Sequence, residues 1–274
     1  KRHISFWVFF FVSILAYGGQ VLNLRLLPGT VTSDEAIVFG SFADYKKVKE
    51  YQVYVDGNCV GSTGLNSFRI LNLKPSTDYK VEVRSVADER NNCSSQLIHL
   101  KTKPAPVVLN VVRYGAKGDG VTINTKAIQQ AIDECPVNGE VNPAGTYITG
   151  ALFIQRSDIS LRLDSGAVLK AVNNLAHFPL VKSRYEGHGV DCFSSVLNLG
   201  KLNNAGERFR NIRIYGGGTI DNQGSVLAKL QTENLSRMSR SRGLPIVNCD
   251  NVSIDNVTVT NPCTWNIHLC YVMG

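Results

Sequence analysis

Several features are scarce or missing in this chain of 274 residues. Its seven cysteines (Cys59, Cys93, Cys135, Cys192, Cys249, Cys263 and Cys270) include no Cys-x-x-Cys pair, which argues against a zinc or dithiol redox site. No acidic cluster suited to calcium is visible, and no lysine–arginine run with interleaved aromatics follows the N-terminus, so nucleic acid is the weakest polyanionic partner. Methionine occurs only twice against 24 glycines, which suits a strand-rich, turn-rich fold. A charged fraction of 19% against 43% hydrophobic residues excludes a disordered chain. What is present is positive charge: a net +7 and a pI near 9.0 can draw the protein to anionic lipid or an acidic polysaccharide, the alternative being that the charge serves solubility alone.

The start of the chain is cationic at Lys1, Arg2 and His3 and apolar from Ile4 to Ala16. That run is shorter than the ~20 residues a membrane-spanning helix needs. It ends in Ala16-Tyr17-Gly18-Gly19, small residues of the kind a signal peptidase requires. Residues 1–19 therefore read as a signal peptide, with a secreted or periplasmic product and no stable membrane insertion after its removal; an N-terminal membrane anchor is the alternative. Export permits disulfides, but the odd cysteine count leaves at least one thiol free and the sequence assigns no pairing. Asn92, Asn234, Asn251 and Asn256 open Asn-x-Ser/Thr triplets, which matter only in a host that glycosylates exported proteins.

Residues 20–103 read as a small β-sandwich. Ala36–Phe39, Tyr51–Val55 and Tyr79–Val86 are strand segments, the last two alternating apolar and polar residues. Asp56-Gly57 is a hairpin turn signal, and no helical period intrudes. Between Phe68 and Val83, a leucine, a Pro75-containing turn and Tyr79 resemble the tyrosine corner of fibronectin type III domains, whose hydroxyl bonds back to the turn backbone. No catalytic grouping is visible there, so a spacer or docking role is expected. Residues 101–106, Lys-Thr-Lys-Pro-Ala-Pro, read as a semi-rigid joint.

Residues 104–274 open with a strand, a glycine-rich turn and a short amphipathic helix. Asn124 is its expected N-cap, and Ile128, Ala131, Ile132 and Cys135 share one face. Such a helix can cover the end of a repeat fold. Three units then recur: Asp158–Leu163 before Gly166–Leu169, Asn211–Gly216 before Gly218–Ile220, and Asn251–Asn256 before Val257–Val259. Each pairs two short strands around a turn and is opened by Asn or Asp. Stacked, they make a parallel β-helix with loops inserted between coils; a two-sheet sandwich is the alternative.

The turn Tyr114–Gly120, the helix Ala127–Ile132, the segment Pro143–Leu152, Ser183–Gly187, Gly218–Asp221 and Asn261-Pro262 with Trp265 and His268 together resemble the polygalacturonases, family 28 glycoside hydrolases. The matches keep the family's order. The upstream fibronectin-like domain makes the chain most similar to bacterial exo-acting members. Two departures stand out: the Gly139–Pro143 segment is about one residue short, and Leu269–Gly274 leaves the family's continuation. The resemblance implies an all-β protein, a fibronectin type III-like sandwich followed by an incomplete right-handed parallel β-helix with an N-terminal capping helix. It also implies hydrolysis of α-1,4-galacturonosyl linkages by inversion, polygalacturonate or pectin oligosaccharides as partners, no cofactor, no metal and a monomeric full-length parent.

Inverting hydrolysis places a carboxylic acid and a carboxylate ~6.5–9.5 Å apart. The resemblance puts the family's three aspartates, together with Gly-His-Gly and Arg-Ile-Lys segments, after the Trp265 region, so no catalytic residue is expected before Gly274. This chain alone is therefore expected to be inactive. Gly187-His188-Gly189 is a false match, and His188 reads as a loop residue. Asp119 and Asp221 sit on glycine turns, where bonding to turn amides is their expected work. Asp191 and Glu186 could form a carboxylate pair, yet no acid/base partner is identified for them. Arg184, Glu186, Trp265 and His268 are the candidates for the wall of a substrate groove. The guanidinium can grip a uronate carboxylate through two parallel bonds, and the indole can face a sugar ring. The competing reading pairs Arg184 with Glu186 and buries Trp265 in a loop. A related rhamnogalacturonan hydrolase or pectate lyase, or a non-catalytic module that binds acidic glycan, are the alternative functions.

Overall fold

The computed structural model describes residues 23–41, 50–86, 95–202 and 206–273. The expected signal peptide at 1–19, Asn92 and Cys93 lie outside them. The described residues form two compact units that divide at Lys103 and Pro104, with 28–30 grouped with the second.

The first unit is a two-sheet antiparallel sandwich. One sheet holds β1 (Asn23–Leu26), β2 (Ala36–Ser41) and β5 (Ser67–Ile70), in the order β1-β2-β5. The other holds β3 (Glu50–Val55), β4 (Asn58–Thr63), β6 (Asp78–Val86) and β7 (Ile98–Lys101), in the order β4-β3-β6-β7. Alternation places Tyr51, Val53 and Val55 of β3 and Val81 and Val83 of β6 inward, beside Leu24, Val38 and Leu100. Asp56 and Gly57 both take positive φ, 47° and 81°, the type I′ geometry that matches strand twist. The Tyr79 hydroxyl accepts a hydrogen bond from the Lys74 amide at 2.7 Å, so the tyrosine corner is formed. Thr102 and Lys103 are hydrogen-bonded into this unit, and the expected joint therefore starts only at Pro104.

The second unit is a parallel β-helix built on three ladders. The first stacks β8 (Val108–Asn110), β10 (Gly139–Asn142), β13 (Ile159–Arg162), β18 (Phe209–Tyr215) and β21 (Cys249–Asp255). The second stacks β9 (Asp119–Ile123), β11 (Thr146–Thr149), β14 (Val168–Ala171), β19 (Thr219–Asp221) and β22 (Thr258–Thr260). The third stacks β12 (Leu152–Ile154), β17 (Leu197–Gly200), β20 (Leu244–Val247) and β23 (Ile267–Cys270). Register is strict: Ile159, Ile212 and Val252 align, as do Leu161, Ile214 and Ile254, so each coil's apolar side chains stack on the next. Leu152, Leu161, Leu169, Leu197, Leu199, Ile214 and Ile220, drawn from all three ladders, are fully buried in the core they enclose.

The Asn or Asp that opens each unit has a structural task. Asp158, Asn211 and Asn251 adopt left-handed backbone, φ 58°, 55° and 52°, which these short polar residues tolerate best after glycine. Their side chains stack as a ladder, Asn211 Nδ2 donating to Asp158 Oδ1 at 2.7 Å and Asn251 Nδ2 to Asn211 Oδ1 at 3.3 Å. Each turn's polar group is thus satisfied by the coil beside it.

Helix α1 (Thr125–Glu134) covers the first coil with Ile128, Ala131 and Ile132, and Cys135 follows them into the core. The third ladder starts one coil later than the others, at β12, and would present a bare edge. Gln129 fills it: its amide donates to the Phe153 carbonyl at 2.9 Å and accepts from the Phe153 amide at 2.8 Å, as a neighbouring strand would. Arg156 then donates to the Ile132 and Asp133 carbonyls at the helix C-terminus. Asn124 stands at the N-cap but makes no side-chain cap bond, contrary to expectation. Its side chain is held by the glycine-rich turn, bonding the Lys117 amide and the Lys117 and Thr122 carbonyls.

Candidate substrate groove beside the third ladder

The connections from the second to the third ladder are long in successive coils. One carries the hairpin β15 (Leu180–Tyr185)–β16 (His188–Phe193), the next helix α2 (Gly224–Asn234) and the loop to Gly243, the last the segment 261–266. Because the coils stack in register, these three insertions stand side by side along one flank. Residues far apart in sequence meet there.

Tyr185 and Trp265 stack with ring centroids 5.0 Å apart, and Trp265 stacks on His268 at 5.6 Å. The Arg242 guanidinium lies 5.4 Å from the Trp265 ring centre and 5.9 Å from that of Tyr185. Trp265 keeps 39% of its surface exposed, whereas Arg242 keeps 1%. Arg242 is held from every side. Gln231 of α2 accepts from the Ser241 amide, Ser195 Oγ donates to the Arg242 carbonyl at 2.6 Å, and Thr264 Oγ1 donates to the Ser241 carbonyl. Gly243 then abuts the last insertion, its amide donating to the Trp265 carbonyl; a Cβ there would fall 2.3 Å from the Asn266 carbonyl oxygen, so only glycine fits.

Arg242 Nη2 donates to the Arg184 carbonyl at 3.1 Å, and Nη1 donates to the Arg240 carbonyl. No carboxylate pairs with Arg242 among the described residues, and its Nε is buried without a partner, as are Arg184 Nε and His268 Nδ1. Burial, and then Arg242 itself, pushes the His268 imidazole below its ordinary pKa, which keeps the ring neutral. Burial also lowers the Arg242 guanidinium. Cys270, two residues beyond His268, has its thiol raised by burial, with Arg184 opposing.

Of the four residues expected to line a groove, the structure brings Trp265 and His268 into contact and sets Arg184 close by, on the strand that carries Tyr185. Glu186 is not with them. With Gly187 it forms the exposed hairpin tip, both at positive φ, 48° and 86°, and it makes no ion pair with Arg184. His188 is the first residue of β16, opposite Tyr185, and not a loop residue. Asp191 pairs across the hairpin with Lys182 at 2.9 Å, because strand register places those two opposite one another; the carboxylate pair with Glu186 does not form. Asp119 accepts from the Val121 and Thr122 amides and the Thr122 hydroxyl, and these bonds lower its pKa to about 2. Asp221 accepts from the Gln223 amide and from Asn261, so both aspartates serve turns. The six described cysteines are all free, and no cluster of metal-binding side chains occurs among the described residues.

Sequence reasoning missed Arg242 and Tyr185. The Arg240-Ser241-Arg242-Gly243 string looks like a solvated basic loop, and only coil stacking buries its second arginine. Tyr185 lay inside the Ser183–Gly187 segment, and its alternation with Ser183 in a strand was the available signal.

The three-ladder coil is the frame on which the flanking cations and rings sit. Residues 108–269 match the family described as rhamnogalacturonase A/epimerase, pectate lyase-like, and the chain belongs to that family. Among individual relatives, it is 34% identical over 244 residues to the exo-poly-α-D-galacturonosidase of Dickeya chrysanthemi, covering 77% of this chain and 40% of that protein. It is 30% identical over 174 residues to a probable polygalacturonase of Vitis vinifera, covering 59% of this chain and 34% of that protein. The structure of the Yersinia enterocolitica family 28 exopolygalacturonase superposes with a TM-score of 0.81 at 25% identity, over 92% of this chain and 59% of that one. The chain thus spans less than two thirds of the length of these relatives.

Proposed function

We propose that the protein to which this chain belongs hydrolyses α-1,4-galacturonan with inversion, and that this chain supplies one end of its substrate groove. The observation that carries the reading is the arrangement of Arg184, Tyr185, Arg242, Trp265 and His268. Guanidinium groups without carboxylate partners stand beside stacked rings, a surface suited to an acidic sugar: charge for the uronate carboxylate, ring faces for the pyranose. The relatives named as galacturonosidase and polygalacturonases favour the same substrate. In this reading Arg184, Trp265 and His268 contact substrate, Tyr185 extends the ring face, and Glu186 at the hairpin tip reaches it only from the rim.

No residue of this chain is assigned as the acid or the base: along this flank Asp191 is held in an ion pair with Lys182 and Asp221 in a turn. A secreted or periplasmic location fits a polymeric cell-wall substrate, and the cationic start at Lys1–His3 followed by the apolar stretch to Ala16 supports it. No helix among the described residues is long and apolar enough to cross a membrane.

The test is retention of the chain on immobilised polygalacturonate together with a reducing-sugar assay. Salt-sensitive retention that falls about tenfold in Trp265→Ala, without turnover, is the expected result. Turnover by this chain would overturn the assignment of the acid and base, and absence of retention would overturn the groove.

A further inference from the structure

The three insertions leave the coil separately, so each needs something to fix it against the next. Beneath the β15–β16 hairpin lies a cavity of about 170 Å³, between Val181 and Cys192 of the hairpin and Asn198 and Val247 of the third ladder. Core packing thus leaves part of the hairpin unsupported, although its Tyr185 forms one face of the ring stack. A wall of loose loops would have to be ordered by each ligand, and that ordering weakens binding.

Arg242 spans all three insertions. Its backbone belongs to the second, and Nη1 donates to the Arg240 carbonyl of that same loop. Nη2 donates to the Arg184 carbonyl of the first, at 3.1 Å. The guanidinium carbon lies 5.9 Å from the Tyr185 ring centre of the first insertion and 5.4 Å from the Trp265 ring centre of the last. The loop that carries Arg242 is itself held, because fully buried Gln231 accepts from the Ser241 amide at 2.8 Å and donates to the Ser241 hydroxyl at 3.2 Å. At 1% exposure, with its Nη donors on carbonyls, Arg242 presents no charge to a ligand. A buried cation without a carboxylate is costly, and an apolar side chain could fill the same space. What an apolar side chain lacks is a rigid fork that reaches carbonyls on two insertions while its charge attracts the rings.

We propose that Arg242 is a positioning residue of the groove: from behind the wall it holds Tyr185 of the hairpin against Trp265, and it acts on a bound glycan only through those rings. That a glycan lies against the wall rests on the galacturonan reading above; the tie among the insertions does not.

The experiment compares the full chain with Arg242→Met, which removes the fork, and Arg242→Lys, which keeps the charge without it. Trp7 and Trp265 are the two tryptophans, so subtracting the emission of Trp265→Phe isolates the groove indole. In Arg242→Met that emission should shift to the red and become easier to quench, with Arg242→Lys between it and wild type. Affinity for polygalacturonate should fall about tenfold in Arg242→Met. Its salt dependence should stay that of wild type, because no charge contact with the ligand is lost. A flatter salt dependence with unchanged Trp265 emission would mean that Arg242 pairs with the ligand, and overturns the proposal. Wild-type affinity in a folded Arg242→Met overturns it as well. Thermal unfolding separates lost binding from lost fold; should Arg242→Met unfold, Arg242→Lys carries the test, and wild-type emission in it overturns the tie. The groove reading fails separately: no retention of wild type, with an emission that depends on Arg242, leaves the tie standing. Retention with an emission indifferent to Arg242 leaves the groove standing without it.

Discussion

The sandwich and the β-helix solve the same problem, burying alternate side chains of short strands, with opposite arrangements. In the sandwich, β1 to β7 close on one another, and the long-range pairing β3–β6 is fixed within a single layer. In the β-helix, interior strands pair with the coils on both sides, so apolar columns such as Ile159–Ile212–Val252 belong to no single coil. The sandwich therefore confines its polar peculiarities to a corner, the Tyr79 hydroxyl on the Lys74 amide. The β-helix tolerates long insertions wherever two ladder strands remain in register, and all the candidate substrate-contacting residues lie in or beside those insertions.

The largest test of this contrast is Leu161→Ala in the β-helix against Val81→Ala in the sandwich. Both residues are fully buried. Each truncation should cost about 2–4 kcal/mol in its own unit. Scanning calorimetry should show Leu161→Ala lowering one transition and Val81→Ala the other; a common shift of a single transition would break the comparison. Next comes Gln129→Ala, which strips the Phe153 amide and carbonyl of their partners and should cost about 2 kcal/mol. Its neighbour Gln130, bonded only to exposed Glu134, should cost almost nothing when changed to Ala in the same denaturant series.

Tyr79→Phe removes one hydrogen bond from the sandwich corner, with an expected loss of about 1 kcal/mol confined to that unit's denaturant midpoint. The smallest effect concerns pH. Asp119 is held at about 2 by turn amides, below the unfolded carboxylate value near 4. Its contribution is present above the unfolded value and is lost as pH falls towards 2. The stability gap between wild type and Asp119→Asn should therefore be constant above pH 5 and close below pH 4; a gap that widens in acid would refute the turn assignment.

Much of this was readable in the linear sequence because the signals are local. Strand alternation marked β3 and β6, Asp56-Gly57 marked a turn, and Asp158, Asn211 and Asn251 marked coil entrances by recurring at the head of each unit, although their left-handed backbone was not foreseen. The helix face Ile128–Cys135 was equally plain. What escaped notice depends on contacts between coils. Gln129 reads as a surface residue of an amphipathic helix until β12 is set beside it. Asn124 has the chemistry of a cap but meets a closer demand from the Lys117 turn. Asp191 looked available until hairpin register placed Lys182 across from it. Arg242 is buried by residues 184, 195 and 265, none of them near it in sequence.

The placement of the insertions carries a consequence for how such a protein can change. Lengthening a surface loop adds only about 0.6 kcal/mol of closure entropy for each doubling. The hairpin, α2 and the Trp265 segment all leave and re-enter the coil at its passage from second to third ladder, each anchored to the core by a buried residue, Phe193, Leu227 and Cys263 in turn. New sugar preferences can therefore be acquired by rewriting one flank, one coil at a time, while the stacked leucines and the asparagine ladder continue to specify the same scaffold.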